Sequence, residues 1–576
     1  MKHGVAITLH AHLPFVLNHG RWPHGADWLN EAAAETYLPL LAAMRNLERD
    51  GVPFRMNVAL SPVLCEQLDS PAFRSEFAMY LDTKIQAARE NAAGFAAHGE
   101  TALEKLAHMW EGFYEGTRDQ WVNQWGGSIL DGFRHFLKAG NREILTCAAS
   151  HGYMPLLGRD TACQAQIRIA VATHRRHFGM MPRGIWLPEC AYRPRYVWSP
   201  PVGARWPAVA RKATDEFLSE SGLTFFIVDT HMLRGGQAVG IYLARFEALR
   251  RLWSRFERET RKPLDAERSP HLPHWVHSNP EGHAPVCVFT RDPDTGTVVW
   301  SGEHGFPGDG WYLDFHKKHF PGGLRYWRVT RPKSELHEKE VYEPDRIEGR
   351  LDENAAHFVD LTRRLLGGYS ADGGQRILTA PYDAELYGHW WFEGVRFLEK
   401  ALRGFAACPD VEAVRLGDYL EANPPEEVIS LPEGSWGQGG FHWIWLNENT
   451  QWTWDRIYDA EDRMEKLAGE LTRREQAGVP GTRQLREVLS MAARELLMME
   501  ASDWQFLIST WSARDYAEMR LARHATDFGA VAGIADKLLT GQAPGEDDEV
   551  LLASLASRDF AFAGVDPALW ARVEHP

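Results

Sequence analysis

The stretch GIWLPECAYRP, residues 184–194, decides how this chain is read. Ile185, Trp186 and Leu187 form the apolar end of a strand. Pro188 stops it, because proline lacks the N–H that the next ladder bond needs. A carboxylate, Glu189, follows at once. An apolar strand that delivers an acid as it leaves the core fits a parallel β/α barrel, where the C-terminal strand ends converge on one functional mouth.

The same pattern recurs along the chain. Short apolar runs lie at 4–10 (GVAITLH), 54–60 (FRMNVAL), 143–150 (EILTCAAS), 184–189 (GIWLPE), 223–230 (LTFFIVDT), 285–292 (PVCVFTRD) and 376–383 (RILTAPYD), with helical or loop segments between them. This βα alternation predicts a parallel sheet. Most runs end on a polar residue: His10 and His12, His151, Glu189, Asp229 with His231, Arg291 with Asp292, and Asp383. One polar strand end means little, since strands must exit into polar loops, but the recurrence argues for a shared mouth.

Two connections are long. Residues 71–140 read as a helical excursion. Residues 232–284 read as a second insertion, with an Arg-rich amphipathic helix at 242–262 (YLARFEALRRLWSRFERETRK) and a Pro/His-rich loop at 269–283 (SPHLPHWVHSNPEGH). Strand signals stop near residue 425. A Trp-rich loop at 435–454 follows, and then helical patterns at 455–476, 482–500, 512–523 and 527–539. The expected organisation is an α/β barrel domain over 1–424 that carries both insertions, and a Trp loop with an all-α domain over 425–576.

Composition excludes several classes. A formal net charge of −15 disfavours nucleic acid and anionic membrane as partners and suits a neutral ligand. The 6 cysteines are scattered without a CxxC pair, so neither a disulfide framework nor a zinc knuckle is indicated. The N-terminus runs directly into a strand pattern, and no apolar stretch of about 18 residues is present. A cytoplasmic location is the expectation. Tryptophan is over-represented, with 23 Trp against 16 Tyr. Trp436, Trp443, Trp445, Trp452 and Trp454 crowd one loop. Core packing would account for any single one. The glycines of WGQGG favour an exposed loop, whose flat rings would suit the faces of sugars.

Two carboxylates on different strand ends, Glu189 and Asp383, are the pair that glycoside hydrolysis or transfer needs: one attacks the anomeric carbon and one protonates the leaving oxygen. Tyr382, Trp390 and Trp391 give Asp383 a partly apolar setting. The competing reading of Asp383 is a helix N-cap. His10, His12, His151, Trp186, Asp229, His231, His389 and Trp443 are the expected substrate contacts. His10 and His12 stand at i and i+2, on one side of a strand, and with Asp229 or Asp292 they could instead make a metal site of the deacetylase or amidohydrolase type. No further cluster has ligand spacing, and neither metal nor cofactor is expected.

HAHLPF (10–15), CAASHGYMPLL (147–157), GIWLPECAY (184–192), FFIVDTHML (225–233) and APYDAELYGHWWFEG (380–394), in this order, resemble the sequence blocks of glycoside hydrolase family 57. The Trp loop and LLMMEASDWQFLISTWSARDYAEMR (496–520) are similar to the C-terminal region of that family's 1,4-α-glucan branching enzymes. The resemblance implies an incomplete (β/α)7 barrel and a retaining mechanism with Glu189 as nucleophile and Asp383 as acid/base. It also implies glucan contacts from Arg291, Gly308, Trp436 and Asp503. Two departures stand out. A glutamine often found nine residues after that aspartate is Ser512 here. The loop that carries a tyrosine linked to branching is enlarged into the 232–284 insertion, with Tyr242 as its candidate. The implied activity is α-1,6 branching of a glycogen-type α-glucan. The alternatives are an α-amylase or 4-α-glucanotransferase on the same site, or a glucan-binding protein without turnover.

Overall fold

The computed structural model describes residues 2–203, 206–233, 268–302, 304–369 and 374–572. Tyr242, the amphipathic helix expected at 242–262 and its apolar stripe lie outside them.

The chain forms two compact units that interleave in sequence: residues 1–59, 67–144 and 291–424 make the first, and residues 60–66, 145–290 and 425–576 the second. A cut therefore falls at 424/425, where the boundary between barrel and tail is expected, but the second unit also takes in the middle of the chain.

The seven strands expected from the sequence are all present: β1 (His3–Ala11), β2 (Met56–Leu60), β3 (Arg142–Cys147), β4 (Gly184–Trp186), β7 (Phe225–Val228), β9 (Val286–Thr290) and β10 (Ile377–Asp383). Among the described residues five further short strands accompany them: β5 (Tyr196–Trp198), β6 (Val209–Arg211), β8 (His274–Val276), β11 (Val411–Ala413) and β12 (Val428–Ile429).

In the first unit β1 pairs in parallel with β10, from Gly4↔Ile377 to His10↔Asp383. The first residues of β1 also pair with β11. From Gly4 to Ala11 every residue of β1 is buried, as expected of a parallel strand covered on both faces. Asn57 of β2 donates to the Ile7 and Val414 carbonyls and accepts from the Leu416 N–H at 2.9 Å, which ties the strand to the segment after β11.

The 71–140 excursion is helical, as read. Helix Pro71–Ala97 starts on Ser70, whose hydroxyl accepts from the Phe73 N–H, with Pro71 at the first turn. It packs on helix Thr101–Asp119, where Tyr80 meets Tyr114 edge to face. A π turn, Ala33–Tyr37, follows helix Ala26–Ala32 and was not legible in the sequence.

In the second unit β3, β4, β7 and β9 run parallel. Gly184 opens β4 because a Cβ there would lie 2.1 Å from the Phe225 ring on the neighbouring strand. Antiparallel β8, which pairs β9, and then β12 extend the sheet. The sequence reading made 269–283 a loop, but His274–Val276 forms a strand because its partner supplies the ladder bonds.

The tail is helical over Gln451–Gln476, Thr482–Met499, Asp503–Thr510, Arg514–Leu539 and Glu546–Arg558. The break expected between 523 and 527 does not occur. His524 lies inside one continuous helix, bonded to the Glu495 carboxylate at 2.7 Å and next to Arg520. Among the described residues no helix is long and apolar enough to cross a membrane.

Candidate active site

The nucleophile candidate sits in the second unit. After β4 the chain makes a single tight turn, Pro188–Cys190, in which Glu189 and Cys190 take left-handed backbone angles (φ 61° and 49°). Non-glycine residues rarely hold this conformation, and two in succession mark a turn that the surrounding structure enforces. The Cys190 and Ala191 N–H groups close the turn on the Leu187 and Pro188 carbonyls. The result presents a half-buried carboxylate at the strand end.

Three groups hold that residue. The Trp436 indole Nε1–H donates to Glu189 Oε2 at 2.7 Å, and the Trp436 backbone N–H donates to the Glu189 carbonyl at 3.0 Å. The Ser502 hydroxyl donates to Oε1 at 3.4 Å. Trp186 meets the Trp436 ring edge to face, with centroids 5.3 Å apart. Burial pushes the Cys147 thiol well above its ordinary range, and the Glu189 and Asp503 carboxylates push it the same way.

The Trp loop is built rather than loose. Glu433 and His442, both fully buried, bond at 2.9 Å and pin the middle of the loop to the segment before it. Tyr196 donates to the other Glu433 oxygen, and the Tyr153 hydroxyl bonds His442 Nδ1 at 2.8 Å. Tyr153 stacks on Trp445 with centroids 4.2 Å apart. The exposed loop expected from WGQGG is therefore corrected. Trp445 and Trp454 are core residues, 1% and 0% exposed, and Trp436, Trp443 and Trp452 are half-buried. The glycines serve close contacts instead of exposure. His231 Nε2 bonds the Gly440 carbonyl at 3.1 Å, so this histidine clamps the loop. Asp229 accepts from the Thr230 N–H at 2.6 Å and stands 3.9 Å from His231 Nδ1. The Trp443 carbonyl accepts from Asn447.

The acid/base candidate lies in the first unit. Asp383 ends β10, in register with His10, and caps no helix: the 3-10 turn Ala384–Leu386 follows it without a side-chain capping bond. The N-cap alternative therefore falls. The rings of His10 and His12 lie 5.8 Å apart and nearly parallel, at 13°, as the i, i+2 spacing requires. Burial, with His12 adding to it, holds the His10 imidazole well below its ordinary pKa, so it is a neutral hydrogen-bonding ring near pH 7. The His12 N–H and the Tyr37 hydroxyl both donate to Glu385 Oε1, at 3.1 and 2.5 Å.

His389 is set by a second group of buried residues. Gly388 takes φ +105°, where a Cβ would lie 1.8 Å from the Glu35 carbonyl. His389 Nδ1 bonds Glu35 Oε2 at 3.3 Å, and Arg325 bonds both that oxygen and the His389 carbonyl. Burial would raise the Glu35 carboxyl, but Arg325 and His389 outweigh it and hold it down at about 2. Arg291 bridges Thr379 of β10, and its neighbour Asp292 caps helix Pro293–Trp300 through the Thr295 N–H at 2.7 Å. Gly308 closes the turn Phe306–Gly308.

The profile of glycosyl hydrolase family 57 matches residues 6–432, and that of the C-terminal domain of 1,4-alpha-glucan branching enzymes matches residues 456–570. The chain belongs to glycosyl hydrolase family 57. It is 40% identical to a 1,4-alpha-glucan branching enzyme of Thermococcus kodakarensis, over 98% of this chain and 78% of that one. A crystal structure of a branching enzyme from Pyrococcus horikoshii superposes with a TM-score of 0.87 at 35% identity, covering 100% of this chain and 98% of that one. An alpha-amylase of Thermotoga maritima superposes with a TM-score of 0.79 at 25% identity, covering 100% of both chains. The fold is thus the family-57 incomplete (β/α)7 barrel with helical insertions and a helical C-terminal region. As a family-57 chain it acts on an α-glucan.

Sequence reasoning missed Ser502, Glu433 and His442. Ser502 adjoins Asp503, which the family resemblance had already marked. The others carry no local signal, since their partners are distant in the chain.

Proposed function

We propose that this chain is a retaining 1,4-α-glucan branching enzyme. Glu189 attacks the anomeric carbon of an α-1,4 bond while Asp383 gives its proton to the departing oxygen. The chain is held as an ester on Glu189. Asp383, now ionised, takes the proton from the C6 hydroxyl of a second glucan, which attacks and forms an α-1,6 branch. Two inversions leave the anomeric configuration unchanged. His10, His12, His151 and His389 supply hydrogen bonds to sugar hydroxyls. Trp436 supplies a ring face, and Trp186, fully buried and so a support for that ring rather than the expected sugar contact, backs it. Arg291, Gly308, Trp443, Asp229, His231 and Asp503 line or support the path.

One observation carries the branching reading. Ser502, inside the region that matches the branching-enzyme C-terminal profile, reaches Glu189 itself. In this chain that region therefore belongs to the nucleophile's own environment. The protein works in the cytoplasm on glycogen-type polymer. All six cysteines are buried and none is in a disulfide, which suits a reducing compartment, and the acidic net charge suits a neutral polymer. The test is incubation with linear amylose, followed by enzymatic debranching and sizing of the released chains. Short chains released only after debranching support branching. New reducing ends without branches would make the protein an amylase.

A further inference from the structure

The Glu189 carboxylate has a donor on each oxygen, and the two donors differ in kind. Trp436 Nε1–H is a fixed indole donor on Oε2. Ser502, on Oε1, carries a hydroxyl whose proton can turn. The Ser502 Oγ also lies 2.8 Å from His151 Nδ1. Ser502 is completely buried and His151 is 4% exposed.

The backbone holds this pair in place. His151 takes a left-handed φ of 64°. The Ser502 N–H donates to the His151 carbonyl at 3.1 Å, and Gly152 and Ala501 pair as an antiparallel bridge. Gln166 braces the same corner, bonding Ser150 through both ends of its amide and the Glu500 carboxylate at 2.7 Å.

A serine hydroxyl has one proton and two lone pairs, and an ionised carboxylate only accepts. If the Ser502 proton pointed at His151 Nδ1, lone pairs of Ser502 and Glu189 would face each other. The arrangement that satisfies both contacts of the Ser502 hydroxyl runs one way, from His151 Nδ1–H to Ser502 Oγ and from Ser502 O–H to Glu189 Oε1. We propose that Ser502 is a positioning residue that fixes the Glu189 carboxylate, and that His151 orients it by donating from Nδ1. The Ser502–Glu189 separation of 3.4 Å is long for such a bond without substrate. Catalytic hydrogen bonds of this kind commonly tighten only in the complex. The proposal rests on Glu189 being the nucleophile.

The test has two arms, both on the full chain. The first is nitrogen NMR of histidine-labelled wild type, with the His151 signals identified by their loss in His151→Asn. A protonated Nδ1 is expected, and an unprotonated Nδ1 overturns the donor chain. The second is steady-state kinetics of Ser502→Ala and Ser502→Thr on amylose. Ser502→Ala is expected to lower kcat about tenfold with KM little changed, the lower end for a bond to a charged group. Ser502→Thr, which keeps the hydroxyl, recovers most of it. Wild-type kcat in the folded alanine variant, or equal losses in both variants, refutes the positioning role. A wild type inert on every α-glucan would instead remove the underlying assignment of Glu189.

Discussion

Replacing Trp436 by phenylalanine separates two contributions that the structure joins in one side chain. The substitution deletes the Nε1–H that sits 2.7 Å from Glu189 Oε2. It keeps an aromatic ring beside Trp186, at the present centroid distance of 5.3 Å. It also keeps the backbone bond from residue 436 to the Glu189 carbonyl, which any residue can make. A hydrogen bond to a charged group is worth about 1.5–3 kcal/mol, and Glu189 is half-buried, which favours the lower end. At about 1.4 kcal/mol per tenfold in rate, kcat/KM should fall roughly 10- to 30-fold. Trp436→Ala loses the ring contact as well, about a further 0.5–1.5 kcal/mol, and should weaken glucan binding directly. The assay is the initial rate on amylose, together with glucan affinity measured in a Glu189→Gln background. In that background the phenylalanine variant should bind nearly as well as its parent, since it keeps the ring and loses only a bond to a neutral amide. A Trp436→Phe enzyme with wild-type kcat/KM would refute the reasoning. So would a melting temperature that collapses in step with activity, because Trp436 would then be structural core.

Four further outcomes are expected. Glu189→Gln should abolish hydrolysis and transfer together, since an amide cannot form the glycosyl ester, and residual turnover on amylose would contradict this. Extended chelator treatment should leave activity intact, whereas loss that zinc restores would favour the metal reading of His10 and His12. Tyr242→Ala should cut α-1,6 branches more than α-1,4 cleavage, so that reducing ends accumulate; an unchanged ratio would remove Tyr242 from the branching step. Glu500→Gln should stabilise the fold at pH 8 and not at pH 4. Burial raises the Glu500 carboxyl to about 8, so the folded state holds a proton that the unfolded chain has released above its ordinary value near 4.5. Stability from this group is therefore lost as pH rises between those values, and equal effects of the substitution at both pH values in thermal melts would refute it.

The parallel strands were legible because each is buried on both faces and reads as an unbroken apolar run bounded by turn residues. The positions of Glu189 and Asp383 at strand ends were legible because each carboxylate directly follows such a run. The rest depends on partners remote in the chain. The strand His274–Val276 has proline beside it and is ordered by β9. Helix Arg514–Leu539 continues through His524 because Glu495 and Arg520 satisfy the ring. Trp445 and Trp454 are buried because Trp454 Nε1 finds the Trp445 carbonyl at 2.7 Å and Tyr153 covers the other ring. Ser502 becomes part of the site only through a bond to a residue 313 positions away.

The proposed mechanism requires a covalent ester at Glu189 that Asp383 helps to turn over. The most direct measurement uses Asp383→Asn with an α-maltosyl fluoride, whose fluoride departs without acid catalysis. The first step then proceeds while the second is slowed. Mass spectrometry of the quenched protein should show one added maltosyl group, and peptide mapping should place it on Glu189. A label on any other residue, or steady release of fluoride with no labelled protein, would contradict the mechanism.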